Sequence, residues 1–233
     1  MANPLSSPSA MEIKKVPLRE EATRLIKELI LTNQLRPGQS LGIGQLADHF
    51  GVSHTPIREA LGVLEREGLV RTPPYGKPEV TRIEAKDVRE VWDMRLLLEQ
   101  AAVEPAILGL SDELLDEMES HLYRARRAAM VADYRAHYES DVAFHRAILC
   151  CVENELFQDL AHLVEDRSIR IRTLVEATAN EGDVVAIIDE HIDVLRALRA
   201  RDERLARRCL IDHLEAGKKR TLAALEELRR GKD

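Results

Sequence analysis

The chain has 233 residues, 45% of them hydrophobic, with 34 Lys/Arg against 41 Asp/Glu and a formal net charge of −7. This length and apolar content suit one large or two smaller packed domains and exclude a largely disordered chain. No apolar run approaches a membrane span, no basic-then-apolar leader opens the chain, and Cys150, Cys151 and Cys209 lack Cys-x-x-Cys spacing, so the expectation is a cytoplasmic protein with buried thiols and no disulfide framework.

Residues 1–15 begin Ser/Pro/Ala-rich and without periodicity, which predicts a flexible tail. Residues 16–84 read as a winged helix-turn-helix domain. In the stretch 46–61 (LADHFGVSHTPIREAL), Leu46, Ala47 and Phe50 give a short helix one apolar face. Gly51 follows where the chain must turn sharply. Thr55 is the expected N-cap of the next helix and Pro56 its first residue. Ile57, Ala60, Leu61 and Leu64 recur at i, i+3, i+4 and i+7, so one face is buried. Ser53, His54, Thr55, Arg58 and Glu59 are left polar at the N-terminal end, where a recognition helix reaches bases in the major groove. Residues 70–72 and 80–83 read as short strands joined by a turn at 73–78, which makes a wing carrying Gly76 and Lys77, with Arg71 at its base.

From about Val16 to Ile83 the chain resembles the N-terminal domain of GntR-family bacterial transcription regulators. The likeness rests on Pro37-Gly38, Leu46-Ala47, Gly51 to Ser53, Thr55 to Leu61, Leu64, Glu67 to Val70 and Gly76. It implies a cytoplasmic homodimer on a palindromic operator, contacted by Ser53, His54, Thr55, Arg58, Gly76 and Lys77. Gly44 and His54 stand where family members often carry arginine, which changes the operator sequence that is read. Residues 1–84 hold 11 Lys/Arg and 10 Asp/Glu, while residues 85–233 hold 23 and 31. The acidity therefore belongs to the second half, and the weakly basic reading head depends on dimerisation for avidity.

Residues 85–233 read as an all-helical bundle: Ala, Leu, Glu and Arg dominate and Pro105 is the sole proline. Six antiparallel helices are expected at about 85–109, 111–131, 133–152, 154–177, 183–200 and 202–229, with Ser111, Asp133, Asn154 and Asp202 as N-caps. The whole chain is thus mainly α. Asp141 and His145 share a helix face at i, i+4, and His191 and His213 lie on the last two helices. One carboxylate and three imidazoles suit a borderline divalent transition metal: Zn foremost, with Ni, Mn or Co as alternatives. Spacing alone leaves a packed or solvated role open for each, and His137, four residues before Asp141, competes for the same face. His121, His137 and His162 read as polar-face or interfacial residues.

Asp141 to Ile148, Asp189-Glu-His191, His213-Leu, and Arg95 to Glu99 followed by Ala101-Ala102 resemble the FCD effector domain of the FadR-type branch of that family, over residues 86–229. The likeness implies metal ligation by Asp141, His145, His191 and His213; six helices are similar to the VanR-like subgroup. It further implies that a small carboxylate metabolite binds at the metal and that the protein regulates transcription, usually by repression. Arg95 is the expected partner of the effector, with Arg146 and Arg170 behind it. A metal that is structural, or is itself the signal, is the alternative; a metal-dependent enzyme is the remote one, because a DNA reading head has no purpose there.

Overall fold

The computed structural model describes residues 17–131, 135–175 and 181–230. The tail expected over 1–15 and the expected cap Asp133 lie outside the described residues. The elements run α1 (Leu18–Leu31), α2 (Ile43–Phe50), α3 (His54–Arg66), β1 (Val70–Arg71), β2 (Glu79–Val80), α4 (Ala85–Gly109), α5 (Asp112–Ala129), α6 (Arg135–Leu149), α7 (Glu155–Val175), α8 (Glu181–Arg199) and α9 (Glu203–Arg230). The fold is mainly α, as expected.

The first part closes over its own apolar core. Ile26 and Ile30 of α1, Leu46 of α2, and Ile57 and Leu64 of α3 meet Leu69 and Val80 of the hairpin. Gly51 ends α2 at φ +67°, a left-handed position that costs a residue without Cβ nothing. The recognition helix starts two residues earlier than expected. Ser53 is its N-cap and makes no side-chain cap bond; the Thr55 hydroxyl does not cap, and Pro56 is the third helical residue. Proline is tolerated there because the first turn has no intrahelical acceptors for its N–H groups, and the ring is buried.

The hairpin pairs Val70 with Val80 and Arg71 with Glu79, two residues per strand rather than the three and four expected. Thr81 leaves the ladder because it serves the turn after α3. Its N–H donates to Leu69 O at 3.1 Å, and its hydroxyl donates to Gly68 O at 2.9 Å.

The six helices expected after residue 84 are present, each described end within three residues of its expected place. α4 runs through the middle, packed along α9, α7 and α6, while α5 lies on α6 and α8, and α8 on α9. Ser111 accepts from Leu114 N–H at 3.3 Å, Asn154 from Phe157 N–H at 3.0 Å and Asp202 from Leu205 N–H at 2.9 Å, so three of the expected caps are made. The cysteines depart from expectation. Cys150 is exposed and Cys151 and Cys209 are half-buried, because the first two fall where α6 ends and the third on a flank of α9.

α4 and α9 approach so closely that Gly217 has no room for a side chain. A Cβ there would stand 2.5 Å from Cη2 of Trp92, and Trp92 is buried beneath the Arg95 guanidinium, 4.5 Å from its ring centroid. Gly217→Val should therefore destabilise the fold by about 2 kcal/mol through overpacking, read as a lower urea midpoint with the slope unchanged.

Candidate metal and ligand centre

α6 places Asp141 and His145 one turn apart on its inner face, α8 brings His191, and α9 brings His213. All four are buried, His191 completely. The three imidazoles converge through one atom each: His145 Nε2 is 3.1 Å from His191 Nε2 and 3.3 Å from His213 Nε2. Asp141 Oδ1 stands 3.6 Å from His191 Nε2 and 3.9 Å from His145 Nε2. Phe144 packs against the rings of His145 and His191 and closes one side.

The far nitrogens explain the convergence. Glu99 Oε2 lies 2.6 Å from His145 Nδ1, and Glu190 Oε2 lies 2.9 Å from His213 Nδ1. A carboxylate at Nδ1 holds the proton there and leaves Nε2 with its lone pair. Two such Nε2 atoms face each other with no proton between them, so a cation at the meeting point satisfies both. Each carboxylate is anchored in turn by an arginine. Arg95 Nε donates to Glu99 Oε1 at 2.8 Å, and Arg220 grips Glu190 with two bonds of 2.8 and 2.6 Å.

Burial opposes the charge on Glu99, but Arg95 and His145 outweigh it and hold its carboxyl down at about 2. The same balance, with His213 and Arg220 as the favourable partners, holds Glu190 at about 2. Burial lowers all three site histidines: His213 to about 4 against the pull of Glu190, His145 in spite of Glu99, and His191 furthest, with repulsion from His213 and His145 added. Neutral imidazoles beside an ionised carboxylate are the form that ligates a divalent metal. The donor set, three buried Nε2 atoms with Asp141 Oδ1 beside them, fits such an ion.

A cavity of about 150 Å³ opens against Asp141 and His213. Arg172, Arg220, His137 and Tyr138 give it a polar side, and Val184 and Ile187 an apolar one. Arg172 is ion-paired with Asp141 Oδ2, and burial, with repulsion from Arg95, brings its pKa down to about 9. Arg95 stands elsewhere. It is buried under the imidazoles, bonded to Glu99 and to Ser168 Oγ at 3.4 Å, and it does not line this cavity. Arg146 is spent on Glu165 at 3.0 and 2.8 Å on the surface. Arg170 points away from the centre to Thr81.

Sequence reasoning gave no role to Glu99, Arg172, Glu190 or Arg220. One signal was available for Glu99: it is i+4 from Arg95 on a helix whose neighbouring positions are apolar, the pattern of a buried ion pair. His137, read as a polar-face residue, lines the cavity, and burial with the charges of Arg172 and Arg220 lowers its pKa to about 4.

On the reading head, Ser53, His54, Thr55 and Arg58 are all exposed along the N-terminal part of α3. A Cβ on Gly44 would lie 3.9 Å from the His54 imidazole, so the two departures from the family pattern are neighbours. Gly76 and Lys77 are exposed in the wing turn, while the left-handed residue there is Tyr75, at φ +61° and fully exposed. Gly76 instead answers to space, since a Cβ would sit 3.1 Å from Pro73. Arg71 is occupied by Glu79 at 2.6 Å.

The lowered histidines set the pH response of the metal-stripped protein. The unfolded chain takes up these protons first as the pH drops, so the stability that neutral His213 contributes is complete above about 6.5 and is lost as pH falls to about 4. His213 alone accounts for about 3 kcal/mol over that interval. The urea midpoint of chelated protein should fall clearly between pH 7.5 and pH 5, with a further loss below about 4.5 as Glu99 and Glu190 protonate in the unfolded chain.

Residues 18–74 match the bacterial regulatory proteins of the gntR family, and residues 90–216 match the FCD domain. The HTH-type transcriptional regulator YdhC of Bacillus subtilis strain 168 is 27% identical over 207 residues, covering 87% of this chain and 90% of that protein. The gluconate operon transcriptional repressor of the same strain is 25% identical over 179 residues, covering 76% and 73%. Among solved structures, Escherichia coli McbR/YncC superposes with a TM-score of 0.75 at 23% identity, over 88% of this chain and 97% of that one. The two curated relatives are named as transcription regulators, not enzymes, and McbR/YncC shares the fold. The chain is a DNA-binding transcription regulator of the GntR family with a C-terminal FCD domain.

Proposed function

We propose that this regulator is a homodimeric repressor whose hold on a palindromic operator is set by a small organic acid bound at a metal centre in its helical domain. The carrying observation is the convergence of three buried Nε2 atoms and Asp141 on one wall of a cavity that also presents Arg172 and Arg220. Asp141, His145, His191 and His213 hold a divalent transition metal, zinc above the alternatives because no redox chemistry is asked of the site. Bound there, the ion supplies Lewis-acid coordination for a carboxylate oxygen. The chain supplies the rest. Arg172 and Arg220 neutralise the remaining charge of the ligand, Tyr138 and His137 flank it, and Val184 and Ile187 exclude water. Arg95 acts from beneath, by fixing Glu99 and through it His145.

The reading domain covers residues 16–84 and the ligand domain 85–233, and the six helices of the latter resemble the VanR-like subgroup. Operator contacts fall to Ser53, His54, Thr55 and Arg58 in the major groove and to Gly76 and Lys77 at the wing. Among the described residues no helix is long and apolar enough to cross a membrane, consistent with work in the cytoplasm. Repression is supported by the name of the gluconate operon relative. Homodimerisation is supported by α4: Met94, Leu97 and Leu108 are 38%, 63% and 80% exposed, and with Ala101 they follow a three-four spacing along one outer stripe. Met94 and Leu108 lie seven residues on either side of Ala101, so an antiparallel copy brings Met94 onto the partner's Leu108 with the small residue at the crossing.

The same ligands cross-link α6, α8 and α9, which favours a structural ion as the second reading. Titration with zinc should show one site per chain, weakened at least 100-fold in His191→Ala. Chelation of the wild type should leave the helical circular dichroism intact while abolishing binding of the small acid; unfolding on chelation would instead assign the ion to structure. Leu97→Glu should sediment as a monomer and bind a full palindromic duplex at least ten-fold more weakly, whereas a dimer of normal affinity would remove α4 from the interface.

A further inference from the structure

α7 has the ligand centre on one face and the DNA reading head on the other. On its inner face Arg172 pairs with Asp141, and Ser168 accepts from Arg95 Nη1. On its outer face Asp166, Arg167 and Arg170 fall within about one turn of each other, and each engages the first domain. Asp166 Oδ2 lies 2.8 Å from Lys27 Nζ of α1, which is also 2.8 Å from Glu67 Oε2. Burial works against the Lys27 ammonium, but the two carboxylates outweigh it and raise its pKa.

Arg167 donates Nε–H and Nη2–H to Glu67 O at 3.1 and 2.9 Å. Glu67 is the C-cap of the recognition helix, so a guanidinium fork covers the negative end of its dipole. Gly68 makes the contact possible: it sits at φ +77°, and a Cβ there would stand 2.6 Å from Arg167 Nη2. Arg170 donates to both the hydroxyl and the carbonyl of Thr81, the residue whose hydroxyl closes on Gly68 O. The helix therefore grips the end of α3 and the root of the wing together, the two elements that meet DNA.

We infer that α7 is the coupling element of this regulator, with Arg167 and Arg170 as positioning residues that convert the state of the Arg172–Asp141 pair into the tilt of the reading head. The inference rests on the proposed ligand centre for its physiological input. Arg172 is half-buried, and Asp141 is the partner that neutralises it. Once Asp141 turns its charge to a cation, Arg172 requires an anionic ligand or a changed position of α7. α3 has 13 residues and spans about 20 Å. A tilt of roughly 10° about the clamp therefore moves its N-terminus by about 3 Å, enough to make or lose hydrogen bonds to base edges. The clamp is a set of directional bonds, so it passes on a displacement that a greasy contact would absorb.

A double-mutant cycle tests the coupling without any metal. Asp141→Asn keeps the shape of the side chain and removes the charge from Arg172. It is combined with Arg167→Ala/Arg170→Ala, and the dissociation constant is measured at fixed salt on a duplex selected from a randomised pool by the wild-type protein. In the intact clamp, Asp141→Asn should change affinity at least five-fold; in the broken clamp, less than two-fold. An equal effect in both backgrounds, or none in either, overturns the proposal. If circular dichroism shows the double variant unfolded, Arg167→Lys, which keeps charge and loses the fork, replaces it in the same cycle. Zinc titration of the wild type is scored separately. Coupling without zinc binding sinks the metal reading alone, and zinc binding without coupling sinks the relay alone.

Discussion

Two carboxylates decide where the centre of this protein points. Glu99 and Glu190 each accept from the Nδ1 of a histidine and are each held by an arginine. Turn either one away and its imidazole is free to rotate, and the lone pair that now faces the middle is free to face elsewhere. The rest of the bundle follows from this demand. A carboxylate as buried as Glu99 must be matched by a cation inside the bundle, which is why Arg95 is 5% exposed on a helix otherwise chosen for apolar packing. Such pairs add little net stability, since desolvation consumes most of the attraction. What they contribute is direction: the bare Nε2 atoms of His145 and His213 are turned toward each other, 3.3 Å apart.

The arginines divide into two kinds. Arg95 and Arg220 serve carboxylates that serve histidines. Arg172 serves Asp141 directly, at the edge of a cavity, where burial and the nearby Arg95 charge lower its pKa. That last ion pair is the least settled group in the interior, because its carboxylate has a second claimant in the imidazole cluster. A helix carrying such a residue on one side and a rigid set of donors on the other is a physical link between two parts of the molecule, each with its own apolar core.

The sequence made the reading head plain because helix-turn-helix chemistry is local. A glycine at the turn, a proline in the first helical turn and an i, i+3, i+4 stripe all fall within 16 residues. Even there, the register of the start was off by two, since Ser53 and Thr55 are equally good cap residues and nothing local decides between them. The bundle was legible as helices for the same reason. The centre was not legible from spacing. Asp141, His145, His191 and His213 were singled out by resemblance, and the periodic pattern ranked His137 beside them. Arg172 and Arg220 were invisible because an arginine on an amphipathic helix reads as a solvated face, and only the packing of α7 and α9 against α4 puts them inside. Arg170 was noticed for the wrong reason: its charge drew attention, but the direction of its side chain depends on a domain contact no window of sequence contains.

Gly68 belongs to the family pattern of the reading head, yet its missing side chain makes room for a residue 99 positions later in the helical domain. The apolar cores part between Val80 and Ile83, so by packing alone the head is a separable module. By interlock it is not. A head transplanted from another regulator would bring its own core, its own caps and its own base specificity, and would still fail to seat unless it offered a bare backbone where Arg167 descends and a hydroxyl where Arg170 arrives. The unit that folds and the unit that can be exchanged are different stretches of this chain, and recombination between such genes is constrained by the second.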